Sequence, residues 1–292
     1  MSISHAGGLA LALWVLAVPV SVAATACPQH FVAGQPPTIT EAKLKPRTQE
    51  VCFVAYAVLH SGVSRTPLYA AEHLQRDNLV LAKKLSRKDS FHAETALPAS
   101  DRAELDDYQR SGYDRGHLAP NADMPTREAQ RESFSLANMV PQIHANNAGV
   151  WAGIEAAARS LAMEEGEVYV VSGPVFVGSN IKKVGNVLVP THLWKAIYSP
   201  KQQRAGAYLI TNDEAKDYAA MSIVDLEKMV GLNVWPSLPL KIREAGMTLP
   251  KPQSQRGGGE RNKNQNQPAP EEFQLKDFAR GVIDLIQRAM QK

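Results

Sequence analysis

Cysteine is nearly missing from this 292-residue chain, where only Cys27 and Cys52 occur. Two thiols can form one bridge, and the expected bridge ties the start of the mature chain to its first strand. A catalytic cysteine is set aside. A strong charge of either sign is also missing, since the formal net charge is +3. Attraction to polyanions is therefore mild, and such a partner must be held by locally placed cations rather than by the field of the whole molecule. No lysine or arginine precedes the apolar run from Gly7 to Val22; only His5 stands there. The run contains Pro19 and is short for the ~20 apolar residues that cross a bilayer. It ends in the small residues Ala24-Thr25-Ala26. These features favour an export signal over residues 1–26, cleaved after Ala26, rather than a retained anchor. The chain is then expected to be periplasmic or secreted, with no stable membrane span. Lipid attachment to Cys27 is an alternative, but it would orphan Cys52 and would place Ala24 where a bulky aliphatic residue is expected. No internal repeat is visible.

What is present is an ordinary globular composition, 44% hydrophobic and 21% charged, with enough chain for a proper core. Residues 27–249 are expected to form one domain. Val51 to His60 mixes β-branched, aromatic and small apolar residues and reads as a buried strand. A turn at Ser61-Gly62 and a second strand from Thr66 to Glu72 follow. Lys83 to Lys88 reads as a basic, solvated stretch. Asp101 to Gln109 suits a short helix capped by Ser100 and closed by Gly112, and Pro125 to Phe134 suits another. The clearest helix runs from Gly149 to Met163, with Trp151, Ile154, Ala158 and Leu161 at helical spacing. Strands are expected at Glu167 to Ser172, Val187 to Tyr198 and Ala205 to Ile210, and a helix from Ile223 to Val230 stops at Gly231. Short connections without repeated crossover helices imply an α+β fold, a mainly antiparallel sheet flanked by helices. From Pro250 to Glu272 the composition turns to Pro, Gln, Asn, Gly and Arg, a linker with little to bury. In the final segment, 273–292, Phe278, Val282, Leu285, Ile286 and Met290 form one stripe of an amphipathic helix. That helix either docks on its own domain or meets a partner or membrane surface.

The stretch Tyr113-Asp114-Arg115-Gly116-His117-Leu118-Ala119-Pro120 gathers a base, a fixed cation and a permissive glycine. An unperturbed imidazole titrates near pH ~6.5 and can take a proton from water at neutral pH. A guanidinium keeps its charge and grips phosphate oxygens with a planar fork of donors. Downstream, Asn146-Asn147-Ala148-Gly149-Val150-Trp151 offers an amide oxygen, the hard donor that Mg²⁺ prefers. Together these groups suggest phosphodiester hydrolysis. Asp114-Arg115-Gly116-His117, then Leu136-Ala137-Asn138-Met139-Val140-Pro141-Gln142, then Asn147-Ala148-Gly149-Val150-Trp151 and Glu155 resemble the DNA/RNA non-specific endonucleases of the ββα-metal superfamily. The match is dense from Tyr113 to Glu155 and looser from about Val51 to Pro239. Three blocks in order carry a resemblance that the tetrapeptide alone would not.

The resemblance implies a ββα-metal finger and a role for each matching residue. His117 is the expected general base, and Asn147 the expected ligand of Mg²⁺ or of Mn²⁺ in its place. Glu155, about two helical turns further on, would order the waters of the metal. Arg115, brought round by a turn at Gly116, and Arg65, in Ser64-Arg65-Thr66-Pro67, would stabilise charge on the phosphate. Asn138 would bind phosphate or order those waters, and Asp114 would brace the substrate-side loop through backbone hydrogen bonds. Simpler readings stand beside these: Asn147 as a helix cap, Glu155 paired with Arg159, and His144 as a second histidine near the cluster. The implied activity is an exported, Mg²⁺-dependent endonuclease acting on DNA and RNA, leaving 5′-phosphate ends. Its breadth follows because phosphate contacts carry no sequence information. The other readings are a phosphodiesterase on a restricted substrate, and an envelope protein that binds nucleic acid without turnover.

Overall fold

Strands that are apolar on alternate residues of both faces need cover on both. In the computed structural model, which describes residues 25–253, Tyr56 and Val58 enter one hydrophobic cluster while Ala57 and Leu59 enter or pack against the opposite one. The same division separates Val168 and Val170 from Val171, and Leu193 and Ile197 from Trp194 and Ala196.

In chain order the strands are β1 (Thr38–Ile39), β2 (Thr48–Cys52), β3 (Tyr56–Ser61), β4 (Thr66–Gln75), β5 (Asp114–His117), β6 (Met139–Gln142), β7 (Glu167–Val175), β8 (Lys183–Val184), β9 (Val187–Leu188), β10 (His192–Ser199), β11 (Arg204–Thr211), β12 (Ala219–Met221) and β13 (Leu232–Asn233). The helices are α1 (Arg76–Ala82), α2 (Arg127–Ser133), α3 (His144–Asn146), α4 (Ala152–Glu165), α5 (Ile223–Val230) and α6 (Leu240–Glu244). Seven strands form one sheet in the order β12-β11-β10-β7-β4-β3-β2, with every neighbouring pair antiparallel. The expected α+β architecture is therefore the one found. On one face α4 contributes Ile154, Ala158 and Leu161 to the core; on the other, α5 contributes Ile223 and Leu226 beside Trp235 and Cys27. Cys27 is bonded to Cys52, so the N-terminal segment is tied to β2.

Two expected strands are each two elements. Val51 to His60 contains a tight turn, with Cys52 opposite Ala57 and Phe53 stacked on Tyr56 at 4.5 Å. Val187 to Tyr198 breaks at Pro190, whose nitrogen cannot join a ladder, and β9 pairs with β8 instead of the main sheet. The segment after Asp101 forms a 3₁₀ turn over Leu105–Tyr108 in which Glu104 and Asp107 cap each other, and Ser100 spends its hydroxyl on Asp101. The expected leader lies almost wholly, and the C-terminal helix wholly, outside the described residues. The packed chain nevertheless continues past Leu249: the Tyr208 hydroxyl donates to the Pro250 carbonyl at 2.5 Å, and Gln253 lies close over Gly153 of α4. Among the described residues, no helix is long and apolar enough to cross a membrane.

Candidate active site

Strand β5 pairs with β6 antiparallel, placing Asp114 opposite Gln142 and His117 opposite Met139. The chain then enters α3, a π-helical turn over Asn147–Trp151, and α4. This is a ββα unit. It is held shut where Trp151 donates its indole N–H to the His117 carbonyl at 3.0 Å. The extended course of β5 also corrects the expected turn at Gly116. Residues two apart on a strand share a face, so Arg115 and His117 lie on one side without any turn. Gly116 is required for a different reason: a Cβ there would lie 2.0 Å from Gln142 Oε1 and 2.8 Å from its Cβ.

His117 is 8% exposed and sits between rings, 5.0 Å from Phe134 and 5.8 Å from Phe91 centre to centre. Its Nε2 is buried without a hydrogen-bond partner, which leaves Nδ1 as the nitrogen available to a water. Burial, helped by the nearby Arg87 charge and opposed by Asp89, lowers the imidazole pKa to about 3. The ring is neutral at physiological pH. Arg115 stacks its guanidinium over Phe91 at 4.0 Å, and Arg87 lies over Phe134 at 5.2 Å. Both arginines line one cleft of about 620 Å³ together with Phe91, Tyr113, Asp114 and Asn147.

Asn147 donates from Nδ2 to Asp114 Oδ2 at 2.9 Å, and His144 Nδ1 meets the same carboxylate oxygen at 2.9 Å. An ionised carboxylate only accepts, so the amide must turn its N–H₂ toward Asp114 and its oxygen away. Asn147 makes no side-chain cap to the helix that follows, so the capping alternative is not realised. Asp114 braces side chains, where backbone contacts were expected. Neighbouring Asn146 is buried, donating to Thr211 O at 2.7 Å and accepting from Gln142 Nε2 at 2.7 Å. A single neutral amide oxygen, backed by a carboxylate and open to a cleft, suits a hard divalent cation that keeps most of its waters. The one close cluster of ligand-type side chains found among the described residues, Cys27, Glu50 and Cys52, has both sulfurs committed to the disulfide.

Glu155 lies partly buried in the first turn of α4. Burial pushes its carboxyl up to about 7, against the pull of Lys195, Arg159 and Arg87, and Asp123 adds to the rise. It makes no hydrogen bond to Arg159 among the described residues. Arg159 instead donates to Asp123 Oδ1 at 2.8 Å, while its charge still acts on Glu155.

Two expected residues are placed away from the cleft. Asn138 is fully buried, accepting from Ala119 N at 2.9 Å and donating to Ala119 O at 2.8 Å and Ser133 O at 2.9 Å. Its amide is spent on fixing the backbone just after His117, so as placed it does not offer itself to phosphate. Arg65 has φ of +55° in the turn between β3 and β4 and donates to Arg102 O at 3.3 Å. It does not line the cleft. Arg87, inside the run Lys83 to Lys88 that reads from sequence only as a basic, solvated stretch, lines the cleft in its stead. No local pattern marks Phe91.

The family model described as DNA/RNA non-specific endonuclease matches residues 35–241. The chain is 32% identical over 209 residues to "Nuclease EXOG, mitochondrial" of Danio rerio, covering 64% of this chain and 60% of that one. It is 33% identical over 205 residues to "Nuclease C1" of Cunninghamella echinulata var. echinulata, covering 63% and 81%. With the "Nuclease" of Nostoc sp. the identity is 32% over 235 residues, covering 73% and 84%. Among solved structures, one titled "Crystal structure of the EndoG/EndoGI complex: Mechanism of EndoG inhibition" superposes with a TM-score of 0.62 at 25% identity, covering 66% of this chain and 88% of that one. Of the mitochondrial relative from Danio rerio, the chain thus spans somewhat less than two thirds.

Proposed function

This chain belongs to the DNA/RNA non-specific endonucleases, a family of metal-dependent nucleases, and on that premise we propose that it is an exported enzyme that cuts DNA and RNA internally, using Mg²⁺, and leaves 5′-phosphate ends. The observation that carries the reading is an arginine-lined cleft at which Asp114 turns the Asn147 amide oxygen outward, built on the strand whose last residue is the buried, neutral His117. His117 holds its acceptor nitrogen toward a water and takes that water's proton as the oxygen attacks phosphorus. A phosphate beside the ring adds negative charge, which favours the protonated imidazole and strengthens the base once substrate is in place. Arg115 and Arg87 hold phosphate oxygens, and their rings of support, Phe91 and Phe134, keep both guanidiniums from folding away. Asn147 would hold the divalent ion, and Glu155 would accept hydrogen bonds from the waters around it. When bound, such an ion neutralises charge on the phosphorane and on the departing 3′ oxygen. Export is supported by the Cys27–Cys52 bridge, since such bonds persist in oxidising compartments.

The test is incubation of the purified exported chain with circular DNA and with RNA, in Mg²⁺ and in EDTA. Cleavage of both in Mg²⁺ and neither in EDTA is expected, with products that accept a ligase without prior phosphorylation. His117→Ala should lower the rate on the order of 10²- to 10⁴-fold without altering the circular dichroism spectrum. A near-normal rate in that variant would sink the mechanism, and cleavage confined to small phosphodiesters would favour the restricted-substrate reading.

A further inference from the structure

Beneath α4, the sheet face that should be wholly apolar carries Glu72 on β4, Ser172 on β7 and Lys195 on β10, all 1% exposed or less. The register explains their meeting. Ser172 pairs with Ala70 on one side and Lys195 on the other, while Glu72 pairs with Val170, so the three share one face across adjacent strands. A buried ammonium is costly unless its donors are satisfied and a counter-charge is near. Lys195 Nζ donates to Ser172 Oγ at 2.6 Å and to the Leu118 carbonyl at 3.1 Å, and lies 4.9 Å from the centre of the Trp151 ring. Leu118 follows His117 directly, and Trp151 holds the His117 carbonyl. Two successive carbonyls at the base are therefore gripped from the sheet and from the helix.

Neither hydrogen-bond partner of Lys195 is charged. Its counter-charge comes from Asp123 and Glu155, which feel the lysine; Glu72, whose two carboxyl oxygens are buried without hydrogen-bond partners, lies on the same sheet face. Arg159 on α4 acts on the same three carboxyls, and Arg87 acts on Glu155 as well. Burial raises the Glu72 carboxyl well above the ordinary carboxylate range, with neither of its oxygens hydrogen-bonded.

We propose that Lys195 is a positioning residue of the site: it pins the carbonyl next to the catalytic base and supplies the positive charge beneath Glu155, which stands one helical turn beyond the Trp151 ring that Lys195 approaches. The groups facing Glu155 are Lys195 on β10, Arg159 on α4, Asp123, Arg87 and Glu72 on β4. Of these, Lys195 contributes the largest favourable charge. Its removal leaves a carboxyl already raised to about 7 to climb further, so the carboxylate forms only at higher pH.

The inference rests on His117 and Glu155 as the working groups, and a single experiment separates the two claims. Cleavage of linear DNA by the exported chain is measured in Mg²⁺ from pH 6 to pH 9 for wild type, Lys195→Met, Lys195→Gln and His117→Ala, with thermal unfolding of each. Lys195→Met is expected to lose about 10- to 100-fold in kcat at pH 7, to keep its KM for DNA, and to regain part of the loss toward pH 9. Lys195→Gln, which retains a donor for Leu118 but no charge, should lose less at pH 9 than Lys195→Met and show the same displaced acid limb. If Lys195→Met does not fold, the displaced limb of Lys195→Gln carries the test. A folded variant with wild-type kcat and profile, or a loss equal at every pH or confined to KM, overturns the assignment. An active His117→Ala variant would instead overturn the reading of the site.

Discussion

At the scale of single residues, hydrogen-bond one-sidedness does much of the work. Asp114 can only accept, so the Asn147 amide presents its oxygen outward, and this distinguishes it from Asn146, whose two amide ends are both consumed inside. The two neighbours should therefore fail differently. Asn147→Ala is expected to raise the Mg²⁺ concentration for half-maximal cleavage by at least on the order of 10-fold while leaving unfolding in urea nearly unchanged. Asn146→Ala leaves Gln142 Nε2 and the Thr211 carbonyl unpaired, so it should cost about 1–3 kcal/mol of stability with little change in the Mg²⁺ requirement. Reversal of that pattern in paired Mg²⁺ titrations and urea melts would show the ligand to be Asn146. Asn147→Asp should still bind the ion but leave less of its charge to act on the phosphate.

At the scale of elements, the β5–β6 pair shows how far local sequence reaches. The order of histidine, asparagine and helix in the ββα unit was legible from His117, Asn147 and the Trp151-Ile154-Ala158-Leu161 stripe, because each depends on spacing of a few residues. The turn that splits β2 from β3 was not, since Phe53-Val54-Ala55 contains none of the residues that favour turns; it is held by a ring stack and by the register of β2 on β3. Nor was Arg87 as a cleft residue, nor Lys195 under the helix, because each is defined by partners far along the chain. Asn138 misled for the opposite reason. Its place in a matching block suggested phosphate contact, whereas its three hydrogen bonds fix the backbone around Ala119. Gly116 gives this scale its prediction. A methyl group at that position must displace Gln142, whose amide holds Asn146 beside Asn147. Gly116→Ala should cost about 1–3 kcal/mol by overpacking and lower kcat together with Mg²⁺ affinity. Wild-type stability and rate in this variant would mean that β5 and β6 can separate without cost to the site.

At the scale of the whole molecule, the limits of the catalytic domain are set by packing rather than by composition. The change to Pro, Gln and Asn begins at Pro250, yet the chain from Met247 onward still serves the core. Met247 is buried against β11 beside Gly206, Leu249 packs on the main cluster, Pro250 accepts from Tyr208, and Gln253 covers Gly153 of α4. This strap bridges β11 and the helix that carries Glu155, so its loss should be felt at the site. A chain ending after Gln253 is expected to unfold in urea with the midpoint of the full chain and to cut naked DNA at the same rate. A chain ending after Leu249 should lose about 1–3 kcal/mol, the cost of unpairing the Tyr208 hydroxyl and uncovering the helix surface, with a smaller fall in rate. Equal stability of the two truncated chains would show that the strap is passive. Insolubility or inactivity of the longer one would place residues beyond 253 within the catalytic domain.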